Sequence, residues 1–259
     1  MTRLRHRSAP DVRVEIRGEL PRADAEYARA RALDVSVALG PGASDARVRL
    51  TRLRHPALAR PVVAQAAIEL AGAGPVRVQL AAATGVEAVD VALGTLAGRA
   101  ARLRELGDIG LAAVYESAYR PQYAPRPLAE RRIVRRKSVT PARRTPDEAV
   151  RTMLALDHRF HLFTDALTGQ DSVVHRGAEG GGLRLVRAHS TARLGVCGFP
   201  LTESPRPAPR LDLAEAARRL WLTCLPFVFH TDPGDARGRV LYRRYDGHYG
   251  LITPVAEAR

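Results

Sequence analysis

A repeat at a spacing of 67 residues constrains this 259-residue chain more than any other feature. Glu148-Ala149 recurs as Glu215-Ala216, Arg151 as Arg218, Phe160 as Phe227 and Thr164-Asp165 as Thr231-Asp232. Val173 to Arg176 lines up with Val240 to Arg243, and one deletion in the first copy brings Leu183 onto Leu251. Residues 145–187 and 211–254 are therefore diverged copies of one unit. Solenoids need at least three stacked repeats. Two copies, each too small to bury a comfortable core alone, instead predict two modules packed on each other as a pseudo-twofold pair.

Each copy follows one plan: a leading strand, a short helix and three strands. In the first, Pro146 to Leu156 reads as the helix, and Phe160 to Thr164, Ser172 to Arg176 and Leu183 to Arg187 as strands. In the second, the helix is Leu213 to Thr223, and the strands are Phe227 to Thr231, Arg239 to Arg243 and Tyr249 to Thr253. The first half has another rhythm. Val12 to Arg17 and Ala46 to Arg54 alternate apolar and charged residues, the period of half-buried strands. Val62 to Leu70 and Val76 to Ala82 flank a glycine-rich hairpin turn. Ala23 to Leu33 and Glu87 to Leu106 carry helical patterning. The prediction is an α+β chain. It comprises a basic tail (1–10), a β-α-β-β-β-α domain (11–108) whose four-stranded sheet carries two helices on one face, a flexible linker (109–130), and the copies at 131–188 and 198–255.

The charge is one-sided: 41 basic residues oppose 27 acidic ones, a formal net charge of +14. A single lysine, Lys137, stands among the basic residues. Residues 1–108 carry a net +5 and residues 109–145 a net +7, whereas 146–259 are close to balanced. Such a chain expects a polyanion, either nucleic acid or an anionic membrane surface. The contact should lie in the first half and the linker. Guanidinium forks match phosphate oxygens without reading bases. This singles out Arg47, Arg49, Arg52 and Arg54 on one strand, and Arg99, Arg102 and Arg104 near the end of the second helix. Arg131, Arg132, Arg135, Arg136 and Lys137 form a third group, which fits phosphate contact and the outward face of a strand equally well. Tyr115, Tyr119 and Tyr123 either stack on bases or pack the linker against a domain.

Catalytic patterns are weak. His158, His161 and His175 lack the cysteine or acidic partners of a metal site. Glu179 to Gly182 lacks the Lys-Ser/Thr of a phosphate loop, and Cys224 has no neighbouring histidine to activate it. Two cysteines outside any paired motif fit a reducing compartment. The charged start lacks the apolar stretch of a secretory signal, and no apolar run is long enough to span a bilayer. A cytoplasmic protein is expected, with no cofactor, no metal, no membrane and no small-molecule substrate. Tyr242, Tyr245, His248 and Tyr249 read as an aromatic hairpin at a strand-paired interface. Phe160, Phe163, Phe227 and Phe229 join them as the expected contact between copies.

Four segments resemble the long-form ribosome hibernation promoting factors, the family that includes the ribosome-associated inhibitor. They are Ile16-Arg-Gly18, then Ala88-Val-Asp90 with Arg102-Leu-Arg104, then Arg132 to Ser138, and most specifically Tyr242 to Ile252. The resemblance implies an N-terminal domain bound to 16S rRNA in the decoding channel of the small ribosomal subunit. There it would block tRNA and mRNA and silence translation in resting or stressed cells. It makes the whole ribosome the partner and gives the basic clusters a role on rRNA. It also implies a C-terminal homodimer that joins two ribosomes. This chain departs from the pattern by carrying two C-terminal units, and it has Thr95 and Gly98 where the family suggests basic residues. The copies are therefore expected to pair within one chain, giving a monomer that inactivates single ribosomes. The rivals are a homodimer that pairs ribosomes and, from another class, a nucleic-acid-processing enzyme.

Overall fold

A computed structural model of the chain describes residues 11–108, 119–177, 182–192, 194–195 and 197–255. They belong to two compact units, Met1–Gln122 and Tyr123–Arg259.

The first unit runs β1 (Val12–Arg17), α1 (Arg22–Leu39), β2 (Ala43–Arg52), β3 (Val62–Leu70), β4 (Gly74–Ala82) and α2 (Gly85–Leu106). Its sheet has the order β1-β2-β3-β4. The β1–β2 pair is parallel, as the α1 crossover requires, and the other pairs are antiparallel. Period two sends Ala46, Val48 and Leu50 of β2 and Val76, Val78 and Leu80 of β4 inward. The helix α2 answers with Val89, Leu93, Leu96, Ala100 and Leu103 at helical spacing. Both helices cover this face; the other stays open and polar. The helices begin side by side at Gly85, where a Cβ would stand 1.9 Å from the Asp24 carboxylate. The helix α1 extends six residues beyond the expected Leu33, to Leu39, and stops at Gly40, which has φ +72°.

The second unit holds both repeat copies. The strands are β5 (Ile133–Val139), β6 (Arg143–Arg144), β7 (Phe160–Asp165), β8 (Asp171–Arg176), β9 (Leu183–Arg187), β10 (Leu201–Glu203), β11 (Phe227–Thr231), β12 (Gly238–Arg243) and β13 (Tyr249–Pro254). The helices are α3 (Pro146–Ala155) and α4 (Leu213–Leu222). Capping boxes at Thr145 and Asp212 start the two helices at equivalent positions.

The sheets cut across the repeat. One has the order β11-β12-β13-β5, the other β10-β9-β8-β7-β6. The leading strand of the first copy, β5, lies parallel to β13 of the second. The leading strand of the second copy, β10, lies parallel to β9 of the first. The copies thus exchange their leading strands within one chain.

Between the sheets lies a core of Leu162, Val173, Phe229 and Val240, with Phe160, Phe227, Val186 and Ile252 packed on it. Its contacts obey the repeat. The Phe160 and Phe227 rings meet at 4.6 Å; Phe160 meets Tyr242 at 6.0 Å and Phe227 meets His175 at 5.3 Å. Shifting each residue by one repeat turns the second contact into the third and the first into itself, the signature of a pseudo-twofold axis. On the far side of the β11-β12-β13-β5 sheet, Ala216 and Leu220 of α4 pack on Val228, Leu241, Tyr249 and Leu251.

Phe163, expected between the copies, lies elsewhere, and Tyr249 joins them outside the phenylalanine contact. Phe163 is buried but differs from Phe160 by an odd number, so the pleat turns it to the opposite face of β7. Tyr249 packs toward α4 and pairs with Ile133 of the first copy along the strand ladder. Phe160, Phe227, Phe229 and Tyr242 do form the contact.

Candidate nucleic-acid interface

The open face of the first unit's sheet is built by the same alternation that makes its core. Register places Arg13, Arg47, Ala67 and Arg77 in one row across the four strands. Glu15, Arg49, Gln65 and Gln79 form the next row, and Gln65 donates to Gln79 at 2.9 Å. Arg17 extends the arginine face along β1.

Carboxylates hold these arginines. Glu15 accepts from Arg17 and from Arg49, each at 2.6 Å. Asp11 accepts from Arg13 at 3.0 Å, and Asp45 pairs with Arg47. The two arginines hold the Glu15 carboxyl below its ordinary range. Arg47 does the same to Asp45. The pairs lie at the surface, where such bridges contribute little to stability. A phosphate arriving at the face can therefore exchange with a carboxylate at little cost.

The arginines singled out in the sequence do not form one patch. Arg47 and Arg49 share the open face. Arg52 differs from them by an odd number and so projects to the other side, while Arg54 lies past the end of β2 and pairs with Glu19. Arg102 and Arg104 belong to the helical layer, opposite the open face, and Arg104 donates to the carbonyl of Leu39 at the C-terminus of α1. That contact suits the negative end of the helix dipole. Arg99 is only 5% exposed and donates to the Arg77 carbonyl at 3.4 Å, so its role is structural and it offers no surface to a polyanion. Arg13, Arg17 and Arg77 escaped the sequence reading. The alternation of Val12 to Arg17 carried the signal for two of them, since a strand pairing with β2 must expose its charges beside Arg47 and Arg49.

In the second unit, Arg135, Arg136 and Lys137 are exposed on β5, which forms one edge of its sheet. Cations on an edge strand oppose edge-to-edge pairing. Arg132 is exposed as well, and Arg131 is half-buried and donates to the Arg126 carbonyl at 2.9 Å.

Of the segment read as a linker, residues 109–118, with Tyr115, lie outside the described residues. Residues 119–130 pack against folded structure, contrary to the expectation of a mobile connection. In the first unit, Arg60 stands over the Tyr119 ring at 5.0 Å, and the Tyr119 carbonyl accepts from the Ala81 amide at 2.6 Å. In the second, Tyr123 stacks on Tyr245 at 5.4 Å, with Arg159 and Arg243 over its ring at 5.6 and 4.8 Å. The Ala124 amide donates to the Tyr245 carbonyl at 2.9 Å, and the Arg132 amide to His248 Nδ1 at 3.3 Å. Tyr245 and His248 thus latch the chain entering β5, so this hairpin of the second copy holds the start of the first. Side chains supply this packing without any periodic stripe, which is why the sequence pattern missed it.

No group of three or more His, Cys, Asp or Glu that could hold a metal occurs among the described residues. His161 is held down to about 4 by burial, aided by the nearby Arg144 charge, and burial also lowers His175. Glu179 to Gly181 lie outside the described residues. Cys224 is exposed. No helix among the described residues is long and apolar enough to cross a membrane.

Residues 129–183 match the family described as "Sigma 54 modulation/S30EA ribosomal protein C terminus". The match falls on the first repeat copy together with its leading strand. Two relatives named "Dormancy associated translation inhibitor", from Mycobacterium tuberculosis strains CDC 1551 / Oshkosh and ATCC 25618 / H37Rv, are each 41% identical over 155 residues. The matches cover 52% of this chain and 56% of each relative, so the chain spans about half the length of the curated relatives it matches.

Proposed function

We propose that this protein is a ribosome-binding translation inhibitor. Its N-terminal unit occupies the decoding channel of the small subunit on 16S rRNA and excludes tRNA and mRNA, and the chain acts as a monomer on single ribosomes. The observation that carries the reading is the open sheet face on which Arg13, Arg17, Arg47 and Arg49 are paired with surface carboxylates. The names of the relatives and the S30EA match support translation as the process. Arg135, Arg136 and Lys137 supply further phosphate contacts, and Arg52, Arg54, Arg102 and Arg104 secondary ones.

The exchanged strands support the monomer. Each sheet slot that could accept a leading strand from another molecule is filled by the same chain. The linking stretch keeps the effective concentration of the exchanged strand on the order of millimolar, well above that of a competing chain.

Cosedimentation with purified ribosomes at rising salt tests both parts. Affinity should fall steeply, with a slope of roughly 0.7–0.9 per phosphate contact. Replacing Arg13, Arg17, Arg47 and Arg49 by Ala should flatten that slope, whereas Arg102→Ala with Arg104→Ala should change it less. An unchanged slope in the first variant removes the open face from the interface. Paired ribosomes in the gradient overturn the monomer.

A further inference from the structure

The outer face of α4 carries an apolar patch that the first copy lacks. Trp221, Leu222 and Leu225 are 43%, 63% and 41% exposed. At the equivalent positions of the first copy, Leu154 and Ala155 are buried, at 1% and 7% exposure. The backbones correspond closely: Asp157 and Cys224, one repeat apart, both hold positive φ, at 53° and 52°. The fold of the unit therefore does not require this exposure.

The patch has a charge signature. Arg218 precedes Trp221 by three residues and Leu222 by four, so all three lie on one helix face. Arg219 is exposed beside them. Two such faces brought together about a twofold axis would oppose their arginines, which disfavours a second copy of this chain. Leu222 and Leu225 offer nothing to a nucleobase or a phosphate. Tryptophan and arginine around aliphatic side chains are the usual centre of a protein–protein contact.

We propose that this face docks a ribosomal-protein segment in which apolar side chains are flanked by carboxylates. The proposal rests on ribosome binding as set out above and adds a second, protein-mediated contact from the other end of the chain.

The test places the photo-crosslinking amino acid p-benzoylphenylalanine at Leu222 in the full-length chain, bound to purified ribosomes. The same residue at Leu167, an exposed position of the first copy, serves as the control. The expected result is a protease-sensitive, nuclease-resistant adduct from position 222 only, mapping to a ribosomal-protein segment with Asp or Glu beside apolar residues. Arg218→Glu with Arg219→Glu should weaken ribosome affinity about tenfold or more, and Arg218→Lys with Arg219→Lys should restore most of it. Both pairs lie on the surface, so an unchanged thermal midpoint verifies folding. An rRNA adduct, an adduct with a second copy, or no adduct despite cosedimentation overturns the docking proposal and leaves ribosome binding standing. Failure to cosediment at all overturns both.

Discussion

The two repeat copies share helix caps, strand order and a pseudo-twofold contact, yet they hold their polar residues in different ways. In the first copy, Arg187 is 2% exposed and donates to Asp165 at 2.7 Å. It also pairs with Glu203 on the exchanged strand β10. In the second, Asp232, the repeat mate of Asp165, pairs with Arg239, and both are partly exposed. One copy locks its borrowed strand with a buried ion network. The other accepts β5 along a longer ladder and pairs Arg239 with carboxylates that stay partly exposed. A duplicated unit freed from the need to be identical to its partner can assign stability to one half and exposed surface to the other.

The comparison breaks most readily at Arg187. Arg187→Ala leaves Asp165 buried without its partner and should cost the second unit about 3–5 kcal/mol. Arg239→Ala in the other copy, where Asp232 and Asp235 keep contact with water, should cost less. Urea unfolding followed by the single tryptophan, Trp221, reads both; equal losses would erase the distinction.

Acid provides the next largest effect. The folded state holds His161 at about 4, below its ordinary 6.5. It therefore favours the neutral ring, and the stability this contributes is complete above pH 6.5. That stability is lost as the pH falls toward 4, by about 3 kcal/mol in total. His175 adds a loss of the same sign. Unfolding midpoints between pH 7 and pH 4 should decline steeply, and His161→Leu should flatten the decline. An unaltered profile in that variant would show that the ring titrates freely.

Gly247 sharpens the contrast between the two hairpins. It has φ +82°, and a Cβ there would stand 2.7 Å from the Ala124 carbonyl. Gly247→Ala should cost about 1–3 kcal/mol and expose residues 123–131 to limited proteolysis. Cleavage no faster than in the parent chain would mean that the latch does not hold this segment. The smallest effect belongs to Arg54→Ala, whose exposed pairing with Glu19 should be worth about 0–1 kcal/mol. A larger thermal shift would give that loop a structural role.

The legible part of this protein was what periodicity encodes. Alternation from Val12 to Arg17 and from Ala46 to Arg52 marked strands, because one buried face forces every second residue to be apolar. The 67-residue repeat likewise announced two like units and the Phe160–Phe227 contact. Period two, applied strictly, would also have separated Arg52 from Arg49 and Phe163 from Phe160.

Other features were decided only when the chain folded. A strand's hydrogen-bonding edge is backbone and carries no sequence label, so nothing in Ile133 to Val139 marks it as the partner of β13 rather than of its own copy. The burial of Arg99 depends on where α2 crosses β4, and the seating of Tyr123 on Tyr245 on how a non-periodic segment meets a hairpin. Local pattern determined which residues form strands and which face is apolar. Tertiary structure decided which strand each one joins and which arginines remain in water, because those outcomes depend on contacts between residues far apart in the chain.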